Sequence, residues 1–119
     1  KGIMEKDNPN IYDYDVPQKL RDLYKNRDFG PYTQDGEVPV CFIATNHTTG
    51  GNSGSPVFNS KGQLIGTAFD RNFEGLTGDI AFRPSSQRAT CVDIRYTLFI
   101  IDKFAGASHI IDELTICEQ

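Results

Sequence analysis

Residues 49–56 read Thr49-Gly50-Gly51-Asn52-Ser53-Gly54-Ser55-Pro56. They separate an apolar stretch, residues 38–44, from two short β-like segments, residues 56–58 and 63–69. Glycine tolerates positive φ and close backbone approach, so glycines on both sides of Ser53 permit a tight turn that presents its hydroxyl. A serine hydroxyl is a useful nucleophile only when such a turn holds it beside a base and oxyanion donors. Ser53 is therefore the candidate nucleophile, and the backbone N–H groups of Gly51 and Ser53 are the candidate oxyanion donors. The competing reading is a Gly/Ser-rich hairpin loop with no chemistry.

Outward from this turn the pattern is one of short strands divided by turn residues. Residues 38–44 form an apolar strand, and Asn59-Ser60-Lys61-Gly62 is a hairpin signal between residues 56–58 and 63–69. Residues 80–82 and 89–92 add two shorter strands, and the whole suggests a small barrel or sandwich. After residue 93 the period becomes helical. Asp93 caps a helix with Ile94, Leu98, Ile101 and Phe104 on its apolar side, and Gly106 closes it. Residues 108–114 add a further turn or two. Upstream, residues 1–36 are an irregular lead-in and a surface helix. Asp15 is the expected N-cap, Val16, Leu20, Leu23 and Tyr24 form the stripe, and Gly30-Pro31 is the expected stop. Residues 37–119 form the second, sheet-bearing part.

Composition narrows the function classes. The chain has 119 residues, twelve Lys plus Arg against sixteen Asp plus Glu, and a formal net charge of −4. With no basic block, nucleic acid is not an expected partner. The longest aliphatic-aromatic run, residues 98–101, is far too short to span a bilayer. Cys41, Cys91 and Cys117 are an odd set without Cys-x-x-Cys spacing, which argues against zinc. One disulfide with a spare thiol and three reduced cysteines both fit. No motif calls for a metal, nucleotide or organic cofactor.

The order strand, Gly-Asn-Ser-Gly-Ser-Pro, strand pair, helix resembles the Gly-Asp-Ser-Gly-Gly-Pro region of chymotrypsin-like serine peptidases. Asn52 departs from the trypsin pattern, where an Asp receives a new N-terminal ammonium. A fuller likeness covers nearly the whole chain. Residues 45–56 (Thr-Asn-His-Thr-Thr-Gly-Gly-Asn-Ser-Gly-Ser-Pro), 66–75 (Gly-Thr-Ala-Phe-Asp-Arg-Asn-Phe-Glu-Gly) and 92–103 resemble a bacterial family of serine dipeptidyl peptidases. The resemblance implies a chymotrypsin-like double β-barrel with an added helical domain, this chain supplying the C-terminal part of the second barrel and flanking helices. It implies release of N-terminal dipeptides, with Ser53 as nucleophile, Asp70 anchoring the substrate α-amine, and Phe69 and Arg71 at the substrate. Members with hydrophobic P1 preference carry Gly at the position of Arg71, whereas the Asp/Glu-specific branch carries Arg. A guanidinium suits bidentate capture of an acidic side chain. Read without the family, Asp70-Arg71 is a solvated turn pair.

A triad also needs a base and an orienting carboxylate. Only His47 and His109 are present, and neither fits the order His, Asp, Ser. Asp79, Asp93 and Asp102 are likewise out of order and read as caps or surface charges. The expectation is a C-terminal fragment whose catalytic His and Asp lie upstream in the parent polypeptide, inactive alone. The expected partners are peptides with a free N-terminus and an acidic second residue, the remainder of the parent polypeptide, and a second copy in a homodimer. The resemblance also implies export to the periplasm or cell surface of a Gram-negative bacterium. The alternatives are a trypsin-like endopeptidase fragment and a non-catalytic β-domain with a Gly-rich binding loop.

Overall fold

Four strands form one antiparallel sheet in a computed structural model, which describes residues 1–46, 52–71 and 88–117. The strands are β1 (Cys41–Ala44), β2 (Pro56–Phe58), β3 (Leu64–Arg71) and β4 (Ala89–Asp93), in the spatial order β1-β4-β3-β2. β4 returns between β1 and β3, so the last strand of the sequence is central. Its residues alternate strictly between buried Ala89, Cys91 and Asp93 and half-buried Thr90 and Val92, as the two-residue period of a strand demands. Val57, Ala68, Ala89 and Cys91 form the buried cluster of the sheet, with Phe42 and Ile65 packed against it.

Gly66 determines how closely this face packs. A Cβ there would lie 2.5 Å from the Val92 carbonyl oxygen and 2.7 Å from Cε1 of Phe42. The aromatic ring of β1 thus passes over β4 and rests on the bare backbone of β3. The β2–β3 hairpin is set by Asn59, as its position predicts. The Asn59 Oδ1 accepts the Lys61 and Gln63 N–H groups at 3.0 Å, and Gly62 takes φ +76°.

The expected chymotrypsin-like double β-barrel is corrected by this arrangement. The described residues build an open four-stranded antiparallel sheet with β1 and β2 at its two ends, accompanied by helices. A sheet closes into a barrel only when its end strands pair with each other, and β1 and β2 do not. The expected strand at residues 80–82 lies outside the described residues.

The chain divides into two compact units. One holds the sheet, within Pro39–Thr97, together with Cys117; the other joins Lys1–Val38 to Leu98–Ile116. The sequence reading divides the chain once, after residue 36, and assigns the terminal helix to the sheet-bearing part. Asp93 does cap the following helix α3 (Ile94–Phe99): its Oδ1 accepts the Arg95 N–H at 2.9 Å, and Arg95 Nε and Nη2 clasp the same carboxylate. Past Phe99 the helix widens to a π-turn over Ile100–Phe104, where the Ala105 N–H reaches the Ile100 carbonyl.

In the helical unit, a short helix α1 (Gly2–Glu5) precedes the surface helix α2 (Gln18–Lys25), which has Pro17 at its N-cap position. Asp15, the expected cap, instead accepts Arg21 Nη2 at 3.0 Å. Arg21 also makes a two-point contact with Asp7, at 2.7 and 2.8 Å, which ties the lead-in to the helix. The Arg21 hydrogen bond holds the Asp7 carboxyl below its ordinary range, against the opposing effect of burial. α2 stops before Gly30 because Arg27 adopts φ +55°. The Arg27 N–H returns to Tyr24 and the Asp28 N–H to Leu23, the paired bonds of a Schellman ending. Arg27 tolerates this region with its guanidinium on the Gly36 carbonyl and Glu37, above the Phe29 ring. Phe29 meets Phe99 edge-on at 5.9 Å. Buried Tyr32 donates its hydroxyl to Asp102 at 2.8 Å, so Asp102 is a structural acceptor rather than a surface charge. Among the described residues no helix is long and apolar enough to cross a membrane.

Two stability outcomes follow from these contacts. Gly66→Ala should lower stability by about 1–3 kcal/mol, the usual cost of overpacking. Gly2→Ala, with nothing within 4 Å, should be near neutral; equal urea midpoints for the two variants would contradict the Phe42 contact. The second outcome concerns alkaline pH. Burial first, then the bond to Asp102, pushes the Tyr32 phenol up to about 12 from an ordinary 10.0. Between these values the unfolded phenol is ionised while the folded one keeps its proton. The stabilisation is therefore complete below the unfolded value and is lost as pH rises through the folded one. Tyr32→Phe should flatten the fall of the urea midpoint across this window relative to the unsubstituted chain.

Candidate functional site

The Ser53 turn is built by its neighbours. The Ser55 N–H closes on the Asn52 carbonyl at 3.0 Å, and Gly54, third in the turn, takes φ +89°. A turn of type II needs positive φ at that position, which glycine supplies without strain. A Cβ on Gly54 would meet nothing within 4 Å, so the glycine serves conformation rather than packing. Two backbone bonds fasten the turn to β3: the Gly54 N–H to the Ala68 carbonyl at 2.7 Å, and the Ala68 N–H to the Ser55 carbonyl at 2.9 Å. The Gly54 N–H is thereby committed to the sheet.

Ser53 itself is exposed, and its Oγ lies 3.4 Å from the Phe69 carbonyl oxygen. That is long for an O–H···O bond, so the hydroxyl is held only weakly by its own chain. Phe69 is the extra residue of a β-bulge. Ala68 pairs with Cys91 and Asp70 with Thr90, leaving Phe69 without an opposite number in the β3–β4 ladder. Bulges bend the strand and re-aim the side chains that follow.

The bulge decides the directions of Asp70 and Arg71. Opposed residues of an antiparallel pair share a face. Asp70 therefore stands with Thr90, and Arg71 with Ala89 on the other side of the sheet. Asp70 is exposed and Arg71 half-buried, and the Asp70 Oδ1 accepts the Arg71 backbone N–H at 2.8 Å. The alternation of the strand thus puts the two side chains on opposite faces of the sheet.

The structure thus brings Ser53, Phe69, Asp70 and Arg71 to one end of β3. Gly51 and His47 lie outside the described residues, as does Asp79. His109 is exposed on α4 (Ser108–Asp112) in the helical unit. No group of three His, Cys, Asp or Glu among the described residues could hold a metal ion. Cys41, Cys91 and Cys117 are all free. Cys41 pairs with Val92 and Cys91 with Phe42, so the first two thiols project from opposite faces and cannot bridge. Burial, and then the proximity of Cys41, push the Cys91 thiol up, which disfavours its thiolate form. The feature that sequence reading missed is the bulge. Phe69 carries no glycine-like signal, and only the cross-strand register reveals the extra residue.

Comparison with known proteins places this site in a family. The family model described as Peptidase S46 matches residues 1–116. The Asp/Glu-specific dipeptidyl-peptidase of Flavobacterium psychrophilum is 56% identical over 115 residues, covering 97% of this chain and 16% of the relative. Dipeptidyl-peptidase 7 of Phocaeicola vulgatus is 56% identical over 119 residues, covering 99% of this chain and 16% of that protein. The chain therefore spans about a sixth of the length of these curated relatives. A crystal structure of Porphyromonas endodontalis DPP11 in complex with dipeptide Arg-Glu superposes with TM-score 0.88 at 57% identity, covering 94% of this chain and 16% of that one. A second, in complex with dipeptide Arg-Asp, matches equally well. These matches replace the chymotrypsin-like family used to frame the sequence: on the match across residues 1–116 and the shared identity, the chain belongs to the peptidase S46 family.

Proposed function

We propose that this chain carries the nucleophile and the acidic-selecting residue of a serine dipeptidyl peptidase, which releases N-terminal dipeptides whose second residue is Asp or Glu. The observation that carries the reading is the exposed Ser53 hydroxyl on a glycine-pinned turn, 3.4 Å from the carbonyl of Phe69, with Asp70 and Arg71 next along the strand. Overall identity does not select the substrate. Asp/Glu-specific and type 7 relatives are both 56% identical to this chain. Arg71 is the residue that speaks for the acidic branch.

In this reading Ser53 Oγ gives its proton to the base and attacks the second peptide carbonyl, and the C–N bond breaks as that proton passes to the leaving amine. Water then hydrolyses the dipeptidyl ester, the N–H groups of Gly51 and Ser53 holding each oxyanion. Each such donor is worth roughly 100- to 1,000-fold in rate. A histidine and an aspartate outside these 119 residues activate the serine and orient the base. Asp70 fixes the substrate ammonium, which limits cleavage to the second bond, and Arg71 takes the acidic P1 side chain in a two-point contact. Phe69 contributes the apolar surface between them. The longer enzyme is exported to the periplasm or cell surface and works as a homodimer, as the family resemblance suggests. The reaction as drawn uses no cofactor.

Assays with dipeptidyl fluorogenic substrates test this reading. The 119-residue chain alone should release no fluorophore, and the full-length enzyme should lose on the order of 10⁴-fold or more on Ser53→Ala. Activity of the isolated chain that depends on Ser53 would refute the external base. In the full-length enzyme, Arg71→Gly should lose acidic P1 preference by roughly 30- to several-thousand-fold, the effect of leaving an acidic group unpaired. Unchanged preference would remove Arg71 from the specificity role. Cleavage of N-terminally blocked peptides would favour an endopeptidase instead.

A further inference from the structure

The β3–β4 register names a residue that no motif points to. Past the bulge at Phe69, Arg71 stands directly opposite Ala89. Such partners place their Cβ atoms about 4.5–5.5 Å apart on a common face. Ala89 is 0% exposed and packs with Val57, Ala68 and Cys91 in the buried cluster. The aliphatic stem of Arg71 therefore rises beside a methyl group whose other sides are already filled. Interiors at this density do not absorb added volume; they displace the neighbour least enclosed by the core. Here the least enclosed neighbour is the half-buried Arg71, since the others belong to the core.

We propose that Ala89 is a specificity-positioning residue: its single methyl sets the height of the Arg71 guanidinium and leaves the space an acidic P1 side chain fills. The inference rests on the reading of Arg71 given above and deepens it. Any larger side chain at position 89 enters the space between Arg71 and the sheet and tilts the guanidinium away. Thr90, one residue on, shares its face with Asp70 instead, so it provides a control on the other side of the strand.

The test measures kcat/KM of the full-length enzyme on matched dipeptidyl substrates with Glu or Leu at P1, and reads their ratio. Ala89→Val should lower the Glu/Leu ratio by about tenfold or more, because a misplacement of about 1 Å can cost on the order of 100-fold. Thr90→Val should leave the ratio within about threefold, a shift of well under 1 kcal/mol. In the Arg71→Gly background, Ala89→Val should change the ratio no further. Thermal unfolding checks that each variant is folded. Should Ala89→Val not fold, Ala89→Ser should lower the ratio by more than about threefold, beyond the change in the Thr90→Val control. A folded Ala89 variant with an unchanged ratio overturns the proposal, and so does an equal fall in the Arg71→Gly background. If the unsubstituted enzyme cleaves both substrates equally, the reading of Arg71 falls, and this proposal falls with it.

Discussion

Phe42 of β1 crosses β4 to rest on Gly66 of β3, at a place where even one methyl group would lie 2.5 Å from the Val92 carbonyl. Three strands are keyed together by that absence of a side chain. Gly66 pairs with Asp93 at the start of the β3–β4 ladder and with Val57 inside the β2–β3 ladder. From there the register runs through Ala68, which accepts the Ser53 turn, to the bulge at Phe69. Each later feature of the site inherits its position from this contact. Packing here acts as a ruler as much as a source of stability.

The bulge is the second constraint, and it acts on electrostatics. Asp70 and Arg71 are adjacent in sequence, and adjacent opposite charges in a loop usually satisfy one another or water. Strand alternation sends them to opposite faces, and the bulge decides which face each takes, Asp70 with Thr90 and Arg71 with Ala89. The Ser53 turn adds a hydroxyl at the same end of the strand. It is fixed by two backbone bonds to Ala68 and only weakly engaged through its own oxygen.

Much of the local structure was legible because it is governed by local rules. The Asn59–Gly62 turn, the Asp93 cap and the glycine after Ser53 each need a particular residue at a particular φ or hydrogen bond. Errors arose where a distant partner overruled a local preference. Asp15 is a good cap in isolation, but Arg21 takes its carboxylate, and Pro17 occupies the cap position. Arg27 ends α2 in a region that favours glycine, because Glu37, Gly36 and Phe29 hold its side chain there. Asp102 looked like a surface charge until the fold brought Tyr32 to it. The double barrel was an inference from likeness rather than from strand pattern, and the open order β1-β4-β3-β2 replaced it.

The amino-acid sequence by itself determined the candidate nucleophile, the candidate arginine beside Asp70 and the likeness to bacterial dipeptidyl peptidases, because these reside in residue identity and short spacing. The tertiary structure decided which residues face one another. It set Ser53 against Phe69, placed Asp70 opposite Thr90 and paired Arg71 with Ala89. The physical reason is that strand register and bulges are fixed by cross-strand packing between residues far apart in the chain. No local propensity encodes an extra residue such as Phe69; only the fit of Phe42, Gly66 and Cys91 across three strands does.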